Sequence, residues 1–122
     1  MGFEALSRGA SQVTLVERDR QALRSIQENK ESLQVGPEMT LIPFSMSRAV
    51  PLLKKEGRLF DMVYIDPPYE THLDLEGIAS LLKPKGWLFV EDRNAFELEL
   101  PDLQRKDVRR FGAAVLSTFF RL

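Results

Sequence analysis

Four short apolar runs stand out along the chain, and each has the length of one strand. They cover residues 13–16, 39–42, 60–65 and 87–90. Apolar runs of this length, rich in β-branched and aromatic residues, predict strands that are buried on both faces. Pro43 and Pro67 stop the second and third runs, because proline offers no N–H to a ladder and fixes its own φ.

Residues between the first runs recur at helical spacing. Residues 1–8 have the composition of a helix end, which Gly9 stops. Asp19 predicts the N-cap of a second helix that reaches about Leu33. The inward stripe of this helix comprises Leu23, Ile26, Lys30 and Leu33, with the lysine as its weakest member.

Two more helices are predicted before the fourth run. A helix over residues 45–56 would contain Pro51, which must kink the helix or mark its true start. Thr71 resembles the first residue of a capping box and predicts a helix to about Leu82. Residues 83–86 then form a turn before the fourth strand.

The end of the chain predicts a hairpin. Residues 108–111 and 114–120 flank Gly112, whereas residues 93–105 show no clear period. Strands that alternate with helices predict an α/β domain with a mainly parallel sheet and right-handed crossovers, to which the hairpin adds antiparallel strands. With 122 residues, the chain is expected to form a single domain.

Composition excludes several classes of function. The chain has no cysteine, so disulfides, thiolate metal sites and a thiol nucleophile are excluded. His72 is the single histidine, which excludes a histidine-rich metal site, and no metal is predicted. No apolar run has membrane-spanning length and no secretory signal pattern is present, so the expected location is the cytoplasm.

The charge balance limits how the chain could hold a nucleic acid. With 17 basic and 18 acidic residues, the formal net charge is −1, so there is no global field that attracts a polyanion. Contact with RNA would need a local patch, for which a solvated charged face is an equally good interpretation. The candidate cations are Arg93, Arg105, Lys106, Arg109 and Arg110.

Four residues directly after the third run are the strongest candidates for chemistry. Asp66, Pro67, Pro68 and Tyr69 place a carboxylate, a stiff turn and an aromatic ring at the carboxyl end of a predicted central strand. In open α/β sheets, ligands bind at that end of the strands. A rigid loop with no further role is the competing interpretation.

Acidic residues follow two other strands at the same predicted edge. Glu17 ends the first strand, where nucleotide-binding folds place an acid that accepts hydrogen bonds from both ribose hydroxyls. A solvated loop carboxylate is the alternative interpretation. Glu91 and Asp92 end the fourth strand and are interpreted as loop acids without a role in the chemistry, and His72 is interpreted as a surface residue or a residue at a helix start. The pair Phe119–Phe120 is expected in the core rather than in a stacking platform.

Three stretches carry a resemblance to a known family. Residues 2–10 (Gly-Phe-Glu-Ala-Leu-Ser-Arg-Gly-Ala), 16–19 (Val-Glu-Arg-Asp) and 66–69 (Asp-Pro-Pro-Tyr) resemble the bacterial RsmD family. Its members are S-adenosylmethionine-dependent methyltransferases that modify a guanine N2 of small-subunit ribosomal RNA. The likeness continues through residues 81–86 to residues 110–112.

The resemblance implies a fold, a cofactor and a partner. The fold would be the Rossmann-like class I methyltransferase fold, a mainly parallel sheet with a C-terminal antiparallel hairpin. The cofactor would be S-adenosylmethionine, and the partner ribosomal RNA or a small-subunit assembly intermediate. The implied catalytic residues are Asp66, Pro67, Pro68 and Tyr69, and the implied cofactor-binding residues are Glu17, Arg18, Phe44, Ser45 and Asp66.

The sequence departs from the family pattern at its start. Relatives carry a first strand and a glycine-rich cofactor loop before the segment that matches Met1-Gly2, and both are missing here. That strand would lie between residues 13–17 and 60–65. We therefore expect these two strands to pair directly, or another chain to fill the slot, and the exposed edges to favour homo-oligomers. At Phe44-Ser45, relatives often carry an acidic or amide residue.

Three functions remain open from sequence. The first is methyl transfer to a guanine N2 amine of small-subunit rRNA. The second is a non-catalytic methyltransferase-fold remnant that binds a partner. The third is an amine methylase that acts on DNA adenine N6 or on a glutamine side chain. Asp66, where other amine methylases have asparagine, favours RNA guanine by resemblance alone.

Overall fold

The computed structural model describes residues 2–65, 75–94 and 99–122. The chain divides into two compact units, Met1–Ala49 and Val50–Leu122. Each unit has its own small sheet, and the two are described separately below. Within the described residues, no helix combines the length and the apolar character needed to cross a bilayer.

The first unit is a parallel pair of strands with two helices. β1 and β2 run side by side from the pair Val13–Met39 to the pair Val16–Ile42. The positive φ of Gly9, 106°, follows the first helix, as expected for a helix stop. The predicted elements are confirmed: α1 (Gly2–Ser7), β1 (Val13–Val16), α2 (Arg20–Ser32) and β2 (Met39–Ile42).

The second helix begins where the sequence predicts and buries less than expected. The Asp19 carboxylate accepts a hydrogen bond from the Ala22 N–H at 2.9 Å, which confirms the N-cap. Lys30 is half-buried and its Nζ donates to the Met39 carbonyl at 3.0 Å, so the lysine ties α2 to β2. Leu33 was wrongly placed on the inward stripe. The helix ends at Ser32, and Leu33 is 60% exposed just beyond it.

The third helix, α3 (Met46–Lys55), contains the boundary between the two units. Its buried side includes Val50 and Leu53. Pro51 lies inside the helix, so its interpretation as the helix start is wrong. Gly57 follows with a φ of 69° and closes the segment.

The second unit is a mixed four-stranded sheet in the order β3-β4-β6-β5. β3 and β4 are parallel, whereas β6 is antiparallel to both β4 and β5. Gly112 has a φ of 59° at the turn between β5 and β6, which confirms the predicted hairpin. The elements are β3 (Phe60–Ile65), α4 (Leu75–Ala79), β4 (Leu82–Asp92), β5 (Leu103–Phe111) and β6 (Ala114–Arg121).

β4 starts earlier than the apolar pattern indicates. The helix predicted to reach Leu82 ends at Ala79, and Leu82 begins the strand. Leu82 aligns with Phe60, but the next aligned pair is Trp87 with Met62, so the predicted turn over residues 83–86 is an irregularity inside β4. Its tight bend includes a positive φ of 67° at Lys85.

β3 is an edge strand of its sheet rather than a central one. Within the described residues it pairs with β4 only, and β1 pairs with β2 only, so the predicted direct pairing of β1 with β3 is wrong. A strand with a neighbour on one side keeps part of its surface in solvent. Met62 is accordingly 49% exposed, which contradicts the burial of β3 on both faces.

The two faces of the four-stranded sheet differ in burial. Phe119 and Leu88 lie side by side on the buried face, where both are fully buried. Trp87 and Phe120 lie on the opposite, open face, with ring centroids 4.8 Å apart and Trp87 39% exposed. The placement of Phe119 in the core is confirmed, and Phe120 is half-buried on the other side.

Gly86 allows a close backbone approach at the irregularity in β4. A Cβ at this position would lie 2.8 Å from the Lys83 carbonyl oxygen and 3.1 Å from the Asp61 carbonyl oxygen. We expect Gly86→Ala to lower the free energy of unfolding by about 1–3 kcal/mol in urea denaturation, because backbone atoms cannot swing aside. Gly36→Ala is the matched control, since its nearest atom lies at 3.8 Å. Equal urea midpoints would contradict the close approach.

Candidate functional site

The carboxyl end of β3 is the edge to which the sequence assigns the chemistry. Ile65 is buried and is aligned with Val90 of β4, so both parallel strands end at this edge. Asp66, Pro67, Pro68 and Tyr69 follow directly, and like His72 they lie outside the described residues. Their catalytic roles stay predictions.

One polar contact close to this edge was not predicted. The Tyr64 hydroxyl donates a hydrogen bond to Glu91 Oε2, which joins β3 to β4. The sequence predicts a loop position for Glu91, but it is a half-buried residue of β4. The two-residue period of strands gives the missed signal, because Phe89 aligns with Tyr64 and Glu91 is the next residue on the same face.

Asp92 and Arg93 end the same strand. Asp92 is exposed, and its Oδ1 accepts a hydrogen bond from the Arg93 N–H at 2.7 Å. The Asp92 side chain therefore accepts a hydrogen bond from the first N–H after the strand, as short polar side chains often do. The predicted end of the fourth strand at Glu91 and Asp92 is confirmed, because β4 ends at Asp92.

Glu17 is positioned by the end of β1. Its N–H donates to the Ile42 carbonyl at 3.1 Å, which continues the β1–β2 ladder by one bond. Its side chain is half-buried, and Oε1 accepts from the Asp19 N–H at 3.0 Å. A carboxylate offers about four acceptor positions. One such bond therefore leaves capacity for the two hydroxyls of a ribose. The neighbouring Arg18 is exposed.

Phe44 and Ser45 lie between β2 and α3. The Ser45 carbonyl accepts from the N–H groups of Arg48 and Ala49 at 3.1 and 2.9 Å, and its hydroxyl lies 3.0 Å from that of Ser47. The Arg48 guanidinium lies 4.4 Å from the centroid of the Phe44 ring, a cation–π contact. An aromatic ring of a ligand would have to use the other face of Phe44.

The first unit therefore brings four predicted cofactor residues to one edge of its sheet, Glu17 and Arg18 after β1 and Phe44 and Ser45 after β2. Val16 and Ile42 are aligned at the ends of the parallel strands, and Glu17 and Phe44 follow them within two residues. This is the edge where parallel sheets bind ligands. In the described ranges, no cluster of three or more histidine, aspartate or glutamate side chains is arranged to hold a metal ion.

The Glu38 carboxylate, directly before β2, hydrogen-bonds the backbone of its own turn. The Glu38 carboxylate accepts from the Gly36 N–H at 2.8 Å, and this bond lowers the pKa of Glu38 below its usual value. The Glu38 backbone and the charge of Lys30 act in the same direction, while burial opposes them. Glu38 thus fixes the turn that leads into β2.

Comparison with known proteins identifies the family. Residues 1–119 match the model of the family described as conserved hypothetical protein 95. The chain belongs to this family. The match includes residues of both units and ends within β6, so the resemblance to RsmD-type sequences covers nearly the whole chain.

Curated relatives are similar over a part of their own length. The chain is 35% identical to ribosomal RNA small subunit methyltransferase D of Escherichia coli over 88 residues, which is 72% of this chain and 42% of that protein. It is 30% identical to the protein of the same name from Haemophilus influenzae, over 84% of this chain and 55% of that protein. The chain thus spans about half the length of these relatives.

Solved structures agree on the fold. A conserved hypothetical protein from Streptococcus pyogenes superimposes with a TM-score of 0.84 at 27% identity, covering 98% of this chain and 77% of that one. The proposed methyltransferase yhhF from Escherichia coli gives a TM-score of 0.82 at 25% identity, covering 99% of this chain and 70% of that one. The α/β class I methyltransferase fold predicted from sequence is confirmed, with a mixed sheet in the second unit.

Proposed function

We propose that this chain belongs to an S-adenosylmethionine-dependent methyltransferase that modifies the exocyclic N2 amine of a guanine in small-subunit ribosomal RNA. The observation that carries the proposal is the end of β3. The strand stops at Ile65, directly before Asp-Pro-Pro-Tyr, in a chain whose family match spans residues 1–119. The relatives named as rRNA methyltransferases give the substrate class.

The first unit supplies groups that suit the nucleoside part of S-adenosylmethionine. Glu17 has acceptor capacity beyond its bond to Asp19, and Phe44 presents a ring at the same edge. A diol on the carboxylate and an adenine near the ring are a common pairing of chemistry in nucleotide sites. The donor set therefore fits this cofactor, which when bound supplies an electrophilic methyl group on a sulfonium.

The residues after β3 would hold the base that accepts the methyl group. The guanine amine is a poor nucleophile because its lone pair is delocalised, so alignment matters more than proton removal. Asp66 and the Pro67 carbonyl would accept the amine hydrogens and turn the nitrogen toward the methyl group. Tyr69 would stack on the guanine, which has to leave its own stack to be reached.

Product analysis tests this proposal. The full chain is incubated with S-adenosylmethionine and with small-subunit rRNA transcribed without modifications, and the digested nucleosides are identified by mass spectrometry. We expect N2-methylguanosine. Formation of N6-methyladenosine in a DNA substrate would instead support the amine methylase alternative. Calorimetry with S-adenosylmethionine is run in parallel, so that binding is measured independently of chemistry.

Glu17→Gln should weaken S-adenosylmethionine binding by about 10- to 100-fold in calorimetry, because two charge-assisted hydrogen bonds to the ribose become neutral ones. The amide oxygen of glutamine still accepts from the Asp19 N–H, so the local turn is preserved. Glu28→Gln, an exposed carboxylate on α2, is the matched control. Unchanged affinity in Glu17→Gln would remove the ribose role.

A non-catalytic role is the second candidate. In this candidate the domain keeps the methyltransferase fold and binds a partner without binding the cofactor. Absence of S-adenosylmethionine binding at millimolar ligand, with a folded chain by circular dichroism, would support this candidate over the enzyme.

A further inference from the structure

The hairpin tip of the second unit, residues 109–114, lies at the sheet edge where β3 ends at Ile65, the last described residue before the Asp-Pro-Pro-Tyr sequence. Arg109, Arg110 and Phe111 end β5, Gly112 makes the turn, and Ala114 begins β6. The strand register fixes this position independently of any loop. We propose that the hairpin tip is an RNA-binding element that holds the substrate strand beside the methylated base, an inference that rests on the proposed function.

The register shows which end of the sheet the tip occupies. β5 runs in the same direction as β3, because β3 is parallel to β4 and two antiparallel steps follow. Arg109, Arg110 and Phe111 therefore lie one to three residues past the level of Ile65, on the carboxyl side. One row of aligned residues crosses the sheet through Ile65, Val90, Ser117 and Val108.

The distance suits a strand of nucleotides. Three strand spacings separate β5 from β3, which is about 14 Å at about 4.8 Å per spacing. An extended nucleic acid strand covers this distance with two or three nucleotides. A base at the end of β3 and a phosphate at the hairpin tip can thus belong to one short RNA segment.

The chemistry of the tip matches single-stranded RNA. Phe111 is 60% exposed, so its ring is available to stack on a base. Arg109 is bonded to Asp107 at 2.7 Å, but both side chains are largely exposed, and such ion pairs contribute little and exchange easily. Arg110 is exposed on the other face of the strand. A guanidinium group on each face of the strand, with the exposed ring of Phe111 on the Arg109 face, suits a phosphate backbone with an unstacked base.

The local charge compensates for the absence of a global field. β5 carries four basic residues and one acidic residue, whereas the whole chain has a net charge of −1. A polyanion approaching this chain would therefore be attracted to β5 specifically. Of the two interpretations of these charged residues, the proposal therefore takes the binding surface.

Fluorescence anisotropy with a labelled single-stranded RNA of about 20 nucleotides tests the proposal across a salt series. Phe111→Ala should weaken binding on the order of tenfold, through the loss of stacking. Arg110→Ala should reduce the slope of log affinity against log salt by about 0.7, the value for one phosphate contact on a single strand. The matched controls are Leu33→Ala, with the same 60% exposure, and Arg24→Ala on the exposed side of α2.

Two conservative variants separate stacking from generic apolar contact. Phe111→Tyr keeps a ring and should keep wild-type affinity, whereas Phe111→Leu should bind as weakly as Phe111→Ala. Retained affinity in Phe111→Leu would overturn the stacking role and indicate a surface that accepts any apolar partner, such as a protein. Circular dichroism of each variant checks that the substitution has not altered the fold.

The outcomes distinguish this inference from the proposed function. If the wild-type chain binds RNA and the tip variants bind equally well, the tip has no role, while methyl transfer still stands on product analysis. If the wild-type chain does not bind RNA at low salt, the tip proposal is overturned, and S-adenosylmethionine binding then decides between the enzyme and the non-catalytic candidate.

Discussion

Replacing Asp66 by alanine should lower kcat/KM for methyl transfer to small-subunit rRNA by about 100-fold or more. In the proposed mechanism the carboxylate would accept the amine hydrogens and turn the guanine nitrogen toward the methyl group, and alanine would leave those hydrogens without that partner. Nucleoside mass spectrometry over a time course gives the rates. Binding of S-adenosylmethionine, measured by calorimetry, should change far less than the rate.

The Asp66→Asn variant distinguishes positioning from general-base chemistry. The amide oxygen of asparagine still accepts a hydrogen bond but takes up no proton. If positioning dominates, Asp66→Asn should lose only about tenfold while Asp66→Ala loses far more. Equal losses in the two variants would show that the carboxylate acts as a base.

Asp61→Ala is the matched control for Asp66. It removes a carboxylate from β3, five residues before Asp66, where the side chain forms an exposed ion pair with Lys83 at 3.5 Å. Exposed pairs of this kind contribute at most about 1 kcal/mol. Normal rates in Asp61→Ala together with normal rates in Asp66→Ala would remove Asp66 from the mechanism.

Local signals predicted the elements whose ends are set by their own residues. β1, β2 and β3 begin and end where the apolar runs do, since Glu17, Pro43 and Pro67 each interrupt the pattern. The N-cap at Asp19 and the turn at Gly112 were predictable for the same reason. Each of these features needs only a side chain and its immediate backbone.

Tertiary pairing set the elements that were predicted poorly. Residues 83–86 contain a proline and a glycine, which favour a turn, but Leu82 pairs with Phe60 and extends β4 through them. The polar and charged residues 104–107 have no alternation, yet they belong to β5 because β6 pairs along them. Strand propensity depends on such neighbours, and a single sequence does not contain them.

In the candidate site, too, positions set by local signals were predicted, whereas contacts set by strand pairing were not. The position of Glu17 at a strand end was predictable because the strand itself was. The Tyr64–Glu91 hydrogen bond depended on the register of β3 against β4, which no local signal fixes. The burial of β3 was predicted wrongly for a related reason: sequence pattern indicates an apolar strand, but exposure depends on whether both of its edges are paired.

Phe119→Ala should lower the free energy of unfolding of the second unit by about 3–5 kcal/mol. Phe119 is fully buried on β6, with Leu88 on one side and Arg105 on the other in the strand register. Removal of its ring leaves a cavity that the neighbouring strands cannot close. Because domains of this size have a stability of about 5–15 kcal/mol, the variant loses a large share of it. Urea denaturation followed by far-ultraviolet circular dichroism measures the change.

Phe120→Ala is the control that assigns the two faces of the sheet. Phe120 is the next residue, half-buried on the open face, where its ring contacts Trp87 at 4.8 Å. Its loss should cost about 1–2 kcal/mol, from one aromatic contact and partial burial. The fluorescence emission of Trp87, the single tryptophan, should change only in this variant, because Phe120, unlike Phe119, contacts its ring. A larger loss in Phe120→Ala than in Phe119→Ala would contradict the assignment, because the chain would then bury the Trp87 face and expose the other.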